Sequence, residues 1–242
     1  MMLSVSWCHN MRQFKIPKYP YEEDRAMFSK TELELEPNKV TCLVGCNGTG
    51  KTTVLYFIRH ALDKLEAVNV ACGYPHKGLK VSDELDFTKK EDFYADFSKK
   101  TDDAKSGFDW MMGKAAVAYS STGEGIVYRL GKLLETLGAA VADPDMKGKN
   151  LFIFFDDCDA GTSLDLIMDI KDVVSLICED CQKRGINFYF VTTANSYEMC
   201  KDYDCIDVTT FEHVTFKDYD DYKKFVLKTR KHKDKEIAKQ EE

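Results

Sequence analysis

Gly45-Cys46-Asn47-Gly48-Thr49-Gly50-Lys51-Thr52 decides how this chain is read. Its spacing is G-x-x-x-x-G-K-[ST], the P-loop pattern that wraps nucleotide phosphates. Lys39-Val40-Thr41-Cys42-Leu43-Val44 leads into it and reads as a buried strand. Thr52-Thr53-Val54-Leu55-Tyr56-Phe57-Ile58 leaves it and reads as a helix. Strand, loop and helix in that order are the context the motif requires. The glycines let backbone N–H groups turn inward toward phosphate, and the helix N-terminus adds a favourable dipole. On this reading Lys51 reaches the β- and γ-phosphates, and the Thr52 hydroxyl is a ligand for Mg²⁺.

The chain around the motif is an ordinary globular one: 242 residues, 44% hydrophobic and 31% charged. That length suffices for one good core, so one α/β domain with an appended lobe is expected over 1–242. The formal net charge of -7 argues against a surface that coats nucleic acid generally. No segment approaches the ~20 apolar residues of a membrane span, so no membrane insertion is expected. Met1-Met2-Leu3-Ser4-Val5-Ser6-Trp7-Cys8 lacks a basic leader and reads as a first strand rather than a signal peptide. Nine cysteines, an odd number, fit reduced thiols and a cytoplasmic setting better than a disulfide framework. Cys178 and Cys181, followed by Cys200 and Cys205, invite a zinc reading. Their i, i+3 spacing on a helix is accounted for more simply by a buried apolar face.

Working outward, residues 2–8 and 31–44 read as strands and 51–68 as a helix. The segment 73–110 is charged and broken by Gly73, Pro75 and Gly78, which suggests an inserted lobe; with the stretch up to 123 it forms one unit. A helix is expected over 124–139. Leu151-Phe152-Ile153-Phe154-Phe155 reads as a strand buried on both faces. A helix over 164–184 and a strand from Asn187 to Thr192 follow, then short strands at 205–208 and 213–216. A last helix from Asp218 passes into a charged tail over 228–242. Alternating strands and helices predict a P-loop α/β fold. Its sheet should be mainly parallel with flanking helices, accompanied by a small N-terminal antiparallel part.

Two further stretches carry chemistry. The Leu151–Phe155 strand ends in Asp156-Asp157, the Walker B pattern. One carboxylate must stand beside the Mg²⁺ shell and the other can polarise an attacking water. Asp156 takes the metal role and Asp157 the catalytic one. Ser120-Ser121-Thr122-Gly123-Glu124-Gly125 precedes a helix, and read alone is a capped helix start.

In combination these segments resemble the ATP-binding-cassette (ABC) superfamily, in particular SMC/RecF-like and phage-type AAA-family ATPase heads without a coiled coil. Asn47-Gly48-Thr49-Gly50-Lys51-Thr52-Thr53 resembles that family's N-G-x-G-K-[ST]-[TS] loop. Ser121-Thr122-Gly123-Glu124 resembles its signature motif in the S-x-G-E form. Phe155-Asp156-Asp157-Cys158-Asp159-Ala160-Gly161 resembles its Walker B and D-loop, with Leu164-Asp165 completing the loop. Phe190-Val191-Thr192-Thr193-Ala194-Asn195-Ser196 resembles the strand that carries its switch histidine. Three departures stand out. Asp157 replaces the usual catalytic Glu and is one methylene shorter. No Gln lies between Lys51 and Ser121, leaving Asp83, Asp86 or Asp92 as substitutes. Thr193 or Asn195 occupies the switch position.

The resemblance implies ATP and Mg²⁺ as ligands, ATP hydrolysis to ADP and phosphate, and a conformational switch in a nucleic-acid-related, phage or defence system. It also implies an ATP-dependent homodimer, in which Ser121, Gly123 and Glu124 of one copy close over the nucleotide held by the other. An effector protein or DNA would be the further partner. The ATPase subunit of an ABC transporter and a non-hydrolytic ATP-dependent interaction module are the alternatives. Tyr19, Tyr21 and Phe28 are either base-stacking or locally packed aromatics.

Overall fold

A computed structural model describes residues 11–20, 26–62, 92–96, 141–142, 144–157, 159 and 162–238. Its main body is a six-stranded sheet in the order β4-β5-β6-β3-β7-β8. These strands are β3 (Lys39–Val44), β4 (Asp92–Asp96), β5 (Asn150–Phe155), β6 (Asn187–Thr193), β7 (Asp204–Asp207) and β8 (Glu212–Val214). All neighbours pair parallel except β7 and β8, which pair antiparallel. A separate antiparallel pair, β1 (Arg12–Lys15) and β2 (Glu32–Leu35), forms the small N-terminal sheet. The α/β fold with a mainly parallel sheet and a small antiparallel part is therefore as the residue pattern predicts. β4 lies inside the stretch expected to form an inserted lobe, and it supplies the edge strand next to β5. The rest of 73–123, with the expected strand at 2–8, lies outside the described residues.

Parallel strands need crossovers, and a crossover helix on each face buries both sides of the sheet. The side chains show this directly. Leu151, Ile153 and Phe155 of β5 enter one core, together with Phe188 and Phe190 of β6 and Cys42 and Val44 of β3. Helix α2 (Leu164–Lys183) covers that core with Ile167, Ile170, Val174, Ile177 and Cys181. The alternate residues Phe152, Phe154, Tyr189, Val191 and Leu43 face the opposite core. There they meet Val54, Leu55, Phe57 and Ile58 of α1 (Lys51–Leu62) and Phe14, Leu33 and Leu35 of the small sheet. Phe152 is the centre of this layer. It stacks on Tyr189 at 4.5 Å, meets the edge of Phe14 at 5.9 Å and lies under the Arg12 guanidinium at 5.5 Å. Aromatic pairs in these geometries add about 0.5–1.5 kcal/mol each beyond their buried area.

α3 (Tyr197–Cys200) is a single turn, capped by the Ser196 hydroxyl accepting the Met199 N–H at 3.3 Å. α4 (Tyr219–Ala238) closes the chain, so residues 228–238 of the expected tail continue a helix. Its Tyr222 is buried with the α2 core. No described helix is long and apolar enough to cross a membrane. Cys178 and Cys181 lie on α2, where burial pushes both thiols up to about 12. Among the described residues the cysteines do not form a metal-binding group. The one such group is Glu36, Asp204 and His213. Lys39 already donates to Glu36 there at 2.6 Å.

Candidate nucleotide-binding site

β3, β5 and β6 are adjacent and parallel, so their carboxyl ends open on the same edge of the sheet. That edge is where α/β sheets of this kind gather ligand-binding loops. β3 ends in the Gly45–Thr52 loop, β5 in Asp156-Asp157 and β6 in Thr193-Ala194-Asn195. Three stretches far apart in sequence thus meet through register alone.

The loop is compact. Thr49 donates from both its backbone N–H and its hydroxyl to the Cys46 carbonyl, at 3.3 and 2.7 Å. A Cβ on Gly45 would stand 2.6 Å from the Thr49 hydroxyl, so only glycine permits that closure. Gly50 has φ +98 and launches α1, whose Val54 N–H donates to the Gly50 carbonyl at 2.9 Å. The first turn of α1 carries no acidic residue. Its positive dipole end is therefore not offset by a carboxylate on the helix itself. Thr53 in that turn is buried. Lys51 is buried too, and its ammonium donates to the carbonyls of Gly45 at 2.9 Å and Cys46 at 3.4 Å. Burial lowers its pKa, against the pull of Asp157, Cys46, Asp159 and Asp156.

Asp156 stands opposite the loop. The Thr52 hydroxyl donates to its Oδ2 at 2.9 Å, and the Thr193 hydroxyl donates to its Oδ1 at 2.6 Å. Burial raises the Asp156 pKa; the Thr193 and Thr52 hydrogen bonds oppose this, Asp157 adds to it and Lys51 counters it. Asp157 follows in a left-handed backbone, φ 57, which an Asp tolerates better than most residues. Its N–H donates to Thr193 Oγ1 at 2.7 Å, and its Oδ1 accepts Asn195 Nδ2 at 2.8 Å.

Asp159 organises the far side of the site, a role the residue pattern does not signal. It is buried and accepts the N–H groups of Asn195 and Ser196 at 2.9 and 2.7 Å, and the Ser196 hydroxyl at 2.7 Å. The turn after β5 and the β6–α3 turn are therefore tied together. Leu164-Asp165 form the exposed first turn of α2, where the expected 164–184 helix begins.

The expected binding residues Gly45, Asn47, Gly48, Thr49, Gly50, Lys51 and Thr52 form one loop, facing Asp156, Asp157 and Asn195 across the sheet edge. Ser121, Gly123 and Glu124 lie outside the described residues, as do Asp83, Asp86 and Tyr21. Phe28 is buried, packed 5.3 Å from Phe211 and against Gly50, so it belongs to the core rather than to a base. Tyr19 is exposed.

No protein-family model and no curated protein matches this chain. Solved structures do resemble its fold. One is an ATP-binding cassette of an ABC transporter in its ADP conformation, 14% identical with TM-score 0.44, covering 91% of this chain and 97% of its own. A nucleotide-free ATP-binding cassette from an ABC transporter is 15% identical with TM-score 0.42, covering 90% and 94%. A putative ABC transporter ATP-binding protein from Pyrococcus furiosus is 14% identical with TM-score 0.35, covering 76% and 92%.

Proposed function

We propose that this chain binds ATP with Mg²⁺ and hydrolyses it slowly, as an ABC-type ATPase whose ATP-bound form pairs with a second copy. One observation carries the reading. Lys51, Thr52, Asp156 and Asp157 converge at one sheet edge, with Thr193 bonded to both acids. A cation and a hydroxyl on a glycine loop, faced by two carboxylates, suit a triphosphate with its metal.

Each group has a part. The Gly48–Thr52 backbone and the start of α1 supply N–H donors for phosphate oxygens. Lys51 exchanges its bonds to the Gly45 and Cys46 carbonyls for the phosphates. Thr52 Oγ1 and Asp156 Oδ2, 2.9 Å apart, are hard oxygen donors of the type Mg²⁺ takes. When bound, the ion neutralises phosphate charge. Asp157 orients the water and accepts its proton, while Asn195 holds one of its oxygens. Ser121, Gly123 and Glu124 of the second copy close the composite site.

The test is equilibrium binding of a fluorescent ATP analogue, phosphate release, and sedimentation with and without Mg²⁺–ATP. Binding and turnover that vanish together in Lys51→Ala, with ATP-dependent dimerisation of Asp157→Asn, are expected. An unaltered affinity in Lys51→Ala would refute the site. Asp157, one methylene shorter than the Glu of the family it resembles, favours the second reading, a non-hydrolytic ATP-dependent module. Binding without measurable phosphate release would select it.

A further inference from the structure

The rim of the phosphate loop is held from outside by the last helix of the chain. Thr229 of α4 is buried, and its Oγ1 accepts the Cys46 N–H at 3.1 Å while donating to the Val226 carbonyl at 2.9 Å. One turn later, Lys233 Nζ donates to the Asn47 carbonyl at 2.9 Å. The same ammonium lies 3.6 Å from where a Cβ on Gly48 would stand. Residues i and i+4 share one face of a helix, so both bonds come from a single stripe of α4. A small cavity between loop and helix is lined by Met27, Thr49, Thr209 and His232 beside Lys233.

These contacts divide the loop into two halves. Thr49, Gly50 and Lys51 lead into α1, which fixes them by its own hydrogen bonding. Cys46 is tied to that half through its carbonyl, which accepts from Thr49 and Lys51, while its N–H and the Asn47 carbonyl are bonded to α4 instead. Gly48, at φ +79, adds a residue with wide conformational freedom. The bonds from Thr229 and Lys233 fall on the Cys46 N–H and the Asn47 carbonyl, two peptide groups that α1 does not hold. Both are directional, and one is charge-assisted, so they resist rotation of the peptides that bear them. Other basic residues of α4, among them Lys228, Arg230 and Lys231, are exposed, and none of them shows a bond to the loop.

We propose that α4 is a clamp on the phosphate loop, with Thr229 and Lys233 as positioning residues that hold Cys46-Asn47-Gly48 in the shape that receives a nucleotide. The nucleotide half of this inference rests on the ATP reading above; the clamp itself does not. The clamp reduces the conformational freedom that binding would otherwise have to remove. It also makes the loop's affinity depend on a helix some 180 residues away in sequence.

The experiment uses the full chain and two readouts: amide hydrogen exchange of the Gly45–Gly50 segment without ligand, and the Kd of a fluorescent ATP analogue. Thr229→Val and Lys233→Met should each speed exchange of that segment about tenfold and weaken the analogue about fivefold to tenfold. Thr229→Ser and Lys233→Arg should restore both, which a general packing defect would not allow. Lys231→Met removes the same charge from the exposed face and should change neither. Lys233 is at the surface of the helix, so its variants keep the test open if Thr229→Val does not fold. Exchange within twofold of wild type in Lys233→Met overturns the clamp, as does an equal effect from Lys231→Met. Faster exchange in the variants of a protein that binds no analogue supports the clamp and overturns the ATP reading alone.

Discussion

Thr193 and Asp156 share a 2.6 Å hydrogen bond from hydroxyl to carboxylate, and the same hydroxyl oxygen accepts the Asp157 N–H at 2.7 Å. One buried side chain on β6 thereby sets both acids at the end of β5. Thr193→Val keeps the shape and removes the hydroxyl. It leaves a buried carboxylate oxygen and a backbone N–H without this partner, which costs about 1–3 kcal/mol. Urea unfolding should report that loss. Phosphate release should fall by roughly 10²-fold, because a carboxylate displaced by about 1 Å no longer meets the water. Thr193→Ser should retain both properties.

Asp156 makes stability depend on pH in a direction opposite to a surface ion pair. Its folded-state pKa is raised, chiefly by burial. A raised carboxylate pKa means the fold prefers the protonated acid. This contribution to stability is full below the unfolded value of about 4 and is lost as pH rises through the folded value. Asp156→Asn should therefore melt higher than wild type at pH 7.5 in EDTA, and the difference should shrink as pH falls toward 4. Added Mg²⁺–ATP should raise the melting temperature of wild type but not of the variant. A melting difference that grows on acidification would contradict the burial argument.

Much of this architecture is legible in the residues. Gly45–Thr52 announces the loop, the unbroken run Leu151–Phe155 announces a doubly covered strand, and Asp156-Asp157 follows it directly. Alternation within that run even separates Phe152 and Phe154 from Leu151, Ile153 and Phe155. The remaining parts are contacts across long sequence separations, and no local period encodes those. Asp159 looks like any loop acid until β6 brings Asn195 and Ser196 beside it. Lys233 sits in a run of basic residues, where composition favours a solvated face, and only the path of α4 turns it onto Asn47. Phe28 leaves two readings open in sequence, base platform or local packing, and only the fold selects the second, its ring filling the space behind Gly50.

Two glycines in left-handed backbone offer a controlled comparison. A Cβ on Gly50, φ +98, would meet Met27 Cε and Phe28 Cζ at 2.9 Å each. Gly148 has φ +78 and open space around it. Alanine at Gly148 incurs only the backbone penalty, about 1–2 kcal/mol. Alanine at Gly50 adds overpacking against a buried aromatic, a further ~1–3 kcal/mol. Gly50→Ala should thus unfold at markedly lower urea than Gly148→Ala, and it should also weaken ATP binding. Equal midpoints would mean that Phe28 yields without cost.

Asp157 and Asn195 set the ratio of binding to turnover. Asn195 Nδ2 donates to Asp157 Oδ1 at 2.8 Å, which fixes how the carboxylate is turned. Removing the charge with Asp157→Asn spares Lys51, Thr52 and Asp156, so affinity for the ATP analogue should stay within about threefold of wild type. Phosphate release should drop on the order of 10²-fold or more, the range that loss of a positioned base produces. Asn195→Ala keeps the base but frees its orientation. It should lower kcat about tenfold with little change in KM, since the group it aims acts on the water and not on the bound phosphates. If Asn195→Ala instead raises KM at constant kcat, Asn195 contacts the nucleotide itself, and the role assigned to Asp157 passes to another group.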